Sequence, residues 1–123
     1  MANVPFTFDN ISRTVTWTPI TGAGSDAGNS FEIQHTDCTV HVLGTFSGTT
    51  VTMQGSNDPR AELGNANYAS AEWFILEDNT GTNIAVATAT DGKVVSQSPR
   101  FIRPVAASGT GSLTVILSKK GSR

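Results

Sequence analysis

The chain has 123 residues, a single cysteine, and a formal net charge of −2 from 8 Lys+Arg against 10 Asp+Glu. That length suits one domain with a single hydrophobic core, which buries about two-thirds of the surface its unfolded form exposes. No basic stripe of the kind phosphate neutralisation requires is visible, so nucleic acid is not an expected partner.

The longest unbroken apolar runs, Trp73 to Leu76 and Ile84 to Ala87, are four residues each, against the ~20 of a membrane-crossing helix. No membrane association is expected. The first residues, Met-Ala-Asn-Val-Pro-Phe, show neither the basic segment nor the apolar stretch of a signal peptide. With Cys38 alone, no intramolecular disulfide can form, which suits assembly in a reducing cytoplasm.

In chain order, Thr, Val, Ile and Phe fill short runs while Gly, Asn, Asp, Ser and Pro separate them, the punctuation of β structure. Strands are predicted at Thr14–Thr18, Phe31–His35, Val40–Phe46, Thr50–Ser56, Glu72–Glu77, Ile84–Thr88, Arg100–Val105 and Leu113–Ser118. Phe6–Phe8 and Lys93–Ser96 are weaker candidates. A period of two marks one buried face: Val40, Val42 and Phe46 oppose His41 and Thr45, Val51 and Met53 alternate with threonines, and Leu113, Val115 and Leu117 point together. Trp73-Phe-Ile-Leu76 is apolar on both faces and reads as a central strand or one lying under a partner.

Ser47-Gly-Thr49 and Asp78-Asn-Thr-Gly81 are predicted to close hairpins, and Asp91-Gly92 is a tight-turn dipeptide. Asp58 to Gly64 can form one helical turn, with Asp58 as N-cap, Pro59 at the first position and Gly64 as stop. Together these predict a single all-β domain over residues 1–123, an antiparallel β-sandwich or jelly roll of about eight strands. Residues 1–10 and 118–123 are expected to be extended contact segments.

The candidate chemical sites reduce to structure. His35, Cys38 and His41, with Asp37 between, are zinc-ligand types, but their spacing matches no established finger and reads as a turn with surface histidines. Gly22-Ala-Gly-Ser-Asp-Ala-Gly28 lacks the Gly-Lys-Ser/Thr ending of a P-loop and has no helix behind it, so it reads as a plain connection. Asp78 reads as a turn cap, because no bidentate Glu follows at calcium-loop spacing. Nothing pairs a base with a nucleophile. The expectation is a non-enzymatic protein with no cofactor, no metal and no small-molecule substrate.

Binding is the better prospect. The Asn57–Ala71 loop is long for a compact β domain and carries Arg60, Leu63 and Tyr68 as candidate anchors, or else covers an open sheet edge. Lys119 and Lys120 begin a basic tail on a mildly acidic chain.

Three blocks carry a resemblance. Gly44-Thr-Phe-Ser-Gly-Thr-Thr-Val-Thr-Met-Gln-Gly-Ser-Asn57-Asp58, then Glu72-Trp-Phe-Ile-Leu-Glu-Asp78, then Arg100-Phe-Ile-Arg-Pro104 with Gly109-Thr-Gly-Ser-Leu-Thr-Val-Ile-Leu117 resemble small β-rich virion proteins of tailed bacteriophages, of the capsid decoration (cement) type. The chain departs from that pattern at Pro59, where Gly is expected after Ser-Asn-Asp, and in the insert that delays Trp73.

The resemblance implies a decoration protein on the capsid exterior of a virion, assembled in the host bacterial cytoplasm. Its partner would be the major capsid protein. A homo-trimer would match local threefold axes. Contacts are expected at Val4, Phe6 and Phe8, in the insert at Arg60, Leu63 and Tyr68, and at Lys119 and Lys120. Two other classes stay open: a tail or fibre module that binds a host receptor or glycan, and a small jelly-roll hydrolase that uses His35 and His41.

Overall fold

The computed structural model describes residues 3–10, 13–33, 38–88 and 92–119. Twelve strands run through them: β1 (Asn3–Val4), β2 (Phe6–Asp9), β3 (Thr14–Thr21), β4 (Ala27–Gly28), β5 (Phe31–Glu32), β6 (Cys38–Thr45), β7 (Thr50–Ser56), β8 (Phe74–Ile75), β9 (Ala85–Val86), β10 (Gly92–Val95), β11 (Phe101–Ala107) and β12 (Ser112–Lys119). One sheet has the order β10-β6-β12-β3-β2. The other runs β1-β4-β11-β7-β8, with β5 also on β11 and β9 also on β7. All of these pairs are antiparallel except β1 on β4, which is parallel.

The expected all-β sandwich is thus present, in more and shorter pieces than the eight predicted. Two edges are broken strands. β4 and β5 lie along the same side of β11, interrupted at Asn29 and Ser30, and β8 and β9 share one side of β7 around the 76–84 hairpin.

The core lies between the sheets and follows the predicted alternation. Val40 and Val42 of β6, Val51 and Met53 of β7, and Leu113, Val115 and Leu117 of β12 are all buried. Trp17 and Ile20 of β3 are also buried although an odd spacing separates them. The cause is a bulge: Leu113 faces Ile20 while Val115 faces Trp17, so β3 carries one extra residue there and both side chains turn inward. The Trp17 indole donates from Nε1 to the Asn29 carbonyl at 2.9 Å and meets Phe6 edge-on at 6.2 Å. A Cβ on Gly28 would come within 2.5 Å of that indole, so only glycine lets β4 pass.

Two predictions are corrected. Ser47-Gly-Thr49 closes no hairpin, because β6 and β7 belong to different sheets. The turn is one of the connections that cross between the sheets, and it lies beside another, from β11 to β12. Thr49, fully buried, joins the two: its hydroxyl donates to the Ser108 carbonyl at 3.0 Å and accepts from the Gly111 N–H at 2.8 Å. Trp73-Phe-Ile-Leu76 is no central strand either. Only Phe74 and Ile75 are β, on the edge of the sheet, where they remain 40% and 42% exposed.

The Asp78-Asn-Thr-Gly81 turn does close a hairpin, with Glu77 bridged to Asn83. Asp78 caps it, accepting from the Thr80 hydroxyl and from the N–H groups of Thr80 and Thr82. Asp91 of the third predicted turn lies outside the described residues. Among the described residues, no helix is long and apolar enough to cross a membrane.

Candidate functional site

The insert between β7 and β8 is where the local sequence is most irregular and the surface most shaped. Asp58 organises it. Its carboxylate accepts from the Arg60 N–H at 2.9 Å, capping the 3-10 turn Pro59–Ala61 as the Asp-Pro sequence predicts. The same carboxylate takes two donors of the Arg60 side chain, at 3.1 and 2.8 Å, and the Glu72 N–H at 3.0 Å. Residues 14 apart are thereby tied together at the loop's base. The Ser56 hydroxyl adds a second tie to the Glu72 carbonyl at 2.6 Å. The Arg60 guanidinium, with the two backbone N–H donors behind it, holds the Asp58 carboxyl well below the usual carboxylate range.

From that base the insert folds back over the outer face of the β11 sheet. Phe101 has the outward parity of Arg103 and Val105, yet it is 1% exposed and lies outside the main core cluster. Ala61, fully buried, and Leu63 belong to the loop that shields it. The Ser30 hydroxyl donates to the Ala61 carbonyl, and the Ser30 N–H donates to the Tyr68 hydroxyl at 3.0 Å. The gap between β4 and β5 is thus the socket into which both 3-10 turns of the insert, Pro59–Ala61 and Tyr68–Ser70, are fastened. The insert thus covers the outer face at Phe101, where the sequence reading had it covering an open sheet edge.

Two clefts flank the insert. The first, about 280 Å³, is lined by Phe6, Ser30, Phe31, Glu32, Glu62, Leu63 and Phe101. Phe8 stacks on Phe31 at 5.8 Å beside it, and both Phe8 and Leu63 stay exposed, at 42% and 47%. The second, about 230 Å³, is lined by Asn3, Tyr68, Ala69, Ala71, Trp73 and Arg103. Here the Arg103 guanidinium lies 4.0 Å from the centre of the Trp73 ring and donates from Nε to the Gln54 side-chain oxygen at 2.9 Å. Burial lowers the Arg103 pKa from the ordinary arginine value, opposed by the adjacent Tyr68 hydroxyl.

The contact residues expected from the sequence are therefore partly gathered. Phe6 and Leu63 line the first cleft with Phe8 beside it, although the N-terminal strands and the insert are some fifty residues apart in sequence. Tyr68 lines the second. Val4 is corrected: at 7% exposure its side chain is spent in the core and presents nothing to a partner. Arg60 keeps 41% of its side chain exposed, but Asp58 already occupies its guanidinium. Lys119 ends β12 opposite Cys38, across the sandwich from the insert's sheet, and Lys120 lies outside the described residues.

Trp73 and Arg103 were missed as site residues. Arg103 had a signal, because a charged residue on the outward parity of a long central strand calls for a partner. Of the zinc-type trio, His35 lies outside the described residues. Cys38 is buried while His41 points outward from the opposite face of β6.

No protein-family model matches the sequence, and no curated protein matches it. Among solved structures, the SPBc2 prophage-derived protein YomS aligns with TM-score 0.51 and 13% identity, over 85% of this chain and 91% of that one. PliG of Aeromonas hydrophila, a periplasmic inhibitor of g-type lysozyme, aligns with TM-score 0.49 and 14% identity, over 97% and 96% of the two chains. What this chain shares with YomS is the fold.

Proposed function

We propose that this chain is a non-enzymatic virion structural protein, a decoration or cement protein that binds the outer surface of a phage capsid shell and stabilises it. The observation that carries the binding half is the convergence of β2 and the insert on one side of the sandwich. There Phe8 and Leu63 remain exposed around an apolar cleft. Clustered exposed apolar side chains rimmed by polar groups, here Glu32 and Glu62, are what a protein partner covers. The virion half is supported by the resemblance of the three sequence blocks to phage cement proteins. A fold shared with a prophage-derived protein accords with it. The protein acts as a homo-trimer whose copies sit at the shell's local threefold axes, each pressing its insert side against the major capsid protein.

Mixing the purified protein with empty, undecorated capsids of its phage, then sedimenting them, tests this reading, with host cells as the parallel bait. Saturable pelleting with capsids, and capsids that survive higher temperature when loaded, is the expected result. Pelleting with cells and none with capsids would overturn it in favour of a tail adhesion module.

A further inference from the structure

Arg103 differs from Arg60, Arg100 and Lys93. Arg60 has Asp58 at 2.8 Å, Arg100 has Glu32 at 3.0 Å, and Lys93 has Asp78 at 3.8 Å. Among the described residues, Arg103 has no carboxylate. Its Nε donates to the neutral Gln54 amide, and the remaining compensation is the face of Trp73 and the adjacent Tyr68 hydroxyl.

A half-buried charge without a counter-charge is costly, and a long side chain ordinarily avoids that by extending its head into water. Here Gln54 and Trp73 hold the guanidinium in place, at the wall of the cleft of about 230 Å³. No acidic side chain lines that cleft. Its other polar groups are the Asn3 amide and the Tyr68 hydroxyl. Because the Tyr68 oxygen accepts from the Ser30 N–H, its own hydrogen is free to be donated.

We propose that this cleft is a carboxylate-binding site that receives an Asp or Glu side chain of a protein partner. The choice of the capsid protein as that partner rests on the decoration reading. Arginine's planar fork takes a carboxylate through two parallel hydrogen bonds, and the two Nη groups are the donors Gln54 leaves unused. The size favours one side chain, since pockets for whole small molecules run about 300–1,000 Å³. The surroundings favour protein too. Arg103 pairs across the sheet with Gln54, and Gln54 with Ile75, which sets an exposed apolar side chain ~10 Å away in the same row. An arginine among Trp, Tyr and exposed aliphatic groups has the composition of an interface hot spot.

The test is a titration of the full-length protein with N-acetyl-Ala-Glu-Ala-amide, followed through the NMR signals of the Arg103 Nε–H and the Trp73 indole. Saturable shifts with this peptide, none with its Gln analogue, and loss of the response in Arg103→Met support the site. Equal shifts with the Gln peptide, or no saturable shift, overturn it without reference to any variant's folding. Tighter binding of glucuronate or inorganic phosphate than of the Glu peptide overturns the protein partner. Capsid binding separates this inference from the reading it rests on. Arg103→Met should weaken capsid binding about tenfold or more while its melting temperature stays near wild type. Equal pelleting of the two proteins discards the cleft and leaves the decoration reading standing, whereas wild type that fails to pellet discards the latter.

Discussion

At the scale of single residues, the fold depends on a few side chains that satisfy backbone groups no ladder reaches. Thr49 joins the β6–β7 and β11–β12 crossovers with one hydroxyl. Thr49→Val keeps the shape but strands the Gly111 N–H, so a loss of about 1–3 kcal/mol is expected in urea unfolding. Gly28→Ala forces a methyl against Trp17 and Pro104 and should cost about 1–3 kcal/mol by the same measurement. Wild-type stability in either variant would show that these contacts relax without penalty.

Asp58 makes the protein acid-sensitive. Its folded pKa lies below the unfolded value of about 4, so the stabilisation is complete above that pH. It declines as pH falls toward the folded value and is gone once that is passed. Asp78 acts in the same direction, held low by the Thr80 hydroxyl, the N–H groups of Thr80 and Thr82, and Lys93. The melting temperature should therefore fall between about pH 5 and pH 2, and less steeply in Asp58→Asn. A parallel fall in the two proteins would mean that Asp58 does not contribute.

At the scale of elements, the insert is a loop closed at its own base. Its ends meet through Asp58 and Ser56 on Glu72, and Ser30 fastens its middle. A protease specific for Glu should cut slowly after Glu62 in wild type and several-fold faster in Asp58→Ala, with the rest of the chain intact, as mass spectrometry would read. The same rate in both would show that the loop does not depend on the Asp58 tie.

Elements also mark the limit of what the sequence conveys. The long strands β6, β7 and β12 were legible because alternation is local, and β3 and β11 because β-branched and aromatic residues fill them. The Pro59–Ala61 turn was legible because Asp-Pro specifies its own cap. β1 and β4 were not, since two residues carry no period. The Ser47-Gly-Thr49 turn was misread because a tight turn looks the same whether the next strand pairs with the last or crosses to the facing sheet. Trp73 misled for a related reason: its apolar ring serves Arg103 at an edge, which strand periodicity does not encode.

At the scale of the molecule, the two sheets bring the N-terminal strands and the insert to one side of the sandwich, which no single segment specifies. Phe6 was named through the resemblance and Leu63 as an anchor of the long loop, but their meeting at one cleft is a product of topology. Light scattering on the purified protein should give three times the 12.9 kDa of the chain. A monomer that still saturates capsids would remove the trimer from the proposal. Leu63→Ser should leave the melting temperature nearly unchanged, since Leu63 is 47% exposed, while weakening capsid binding.

Hydrogen exchange on capsid-loaded against free protein tests the account most directly. The account predicts that the protein loads, and that new protection concentrates in residues 57–73 and 6–9. Failure to load, or protection confined to the outer face of the other sheet around Leu43 and Ile116, would contradict it.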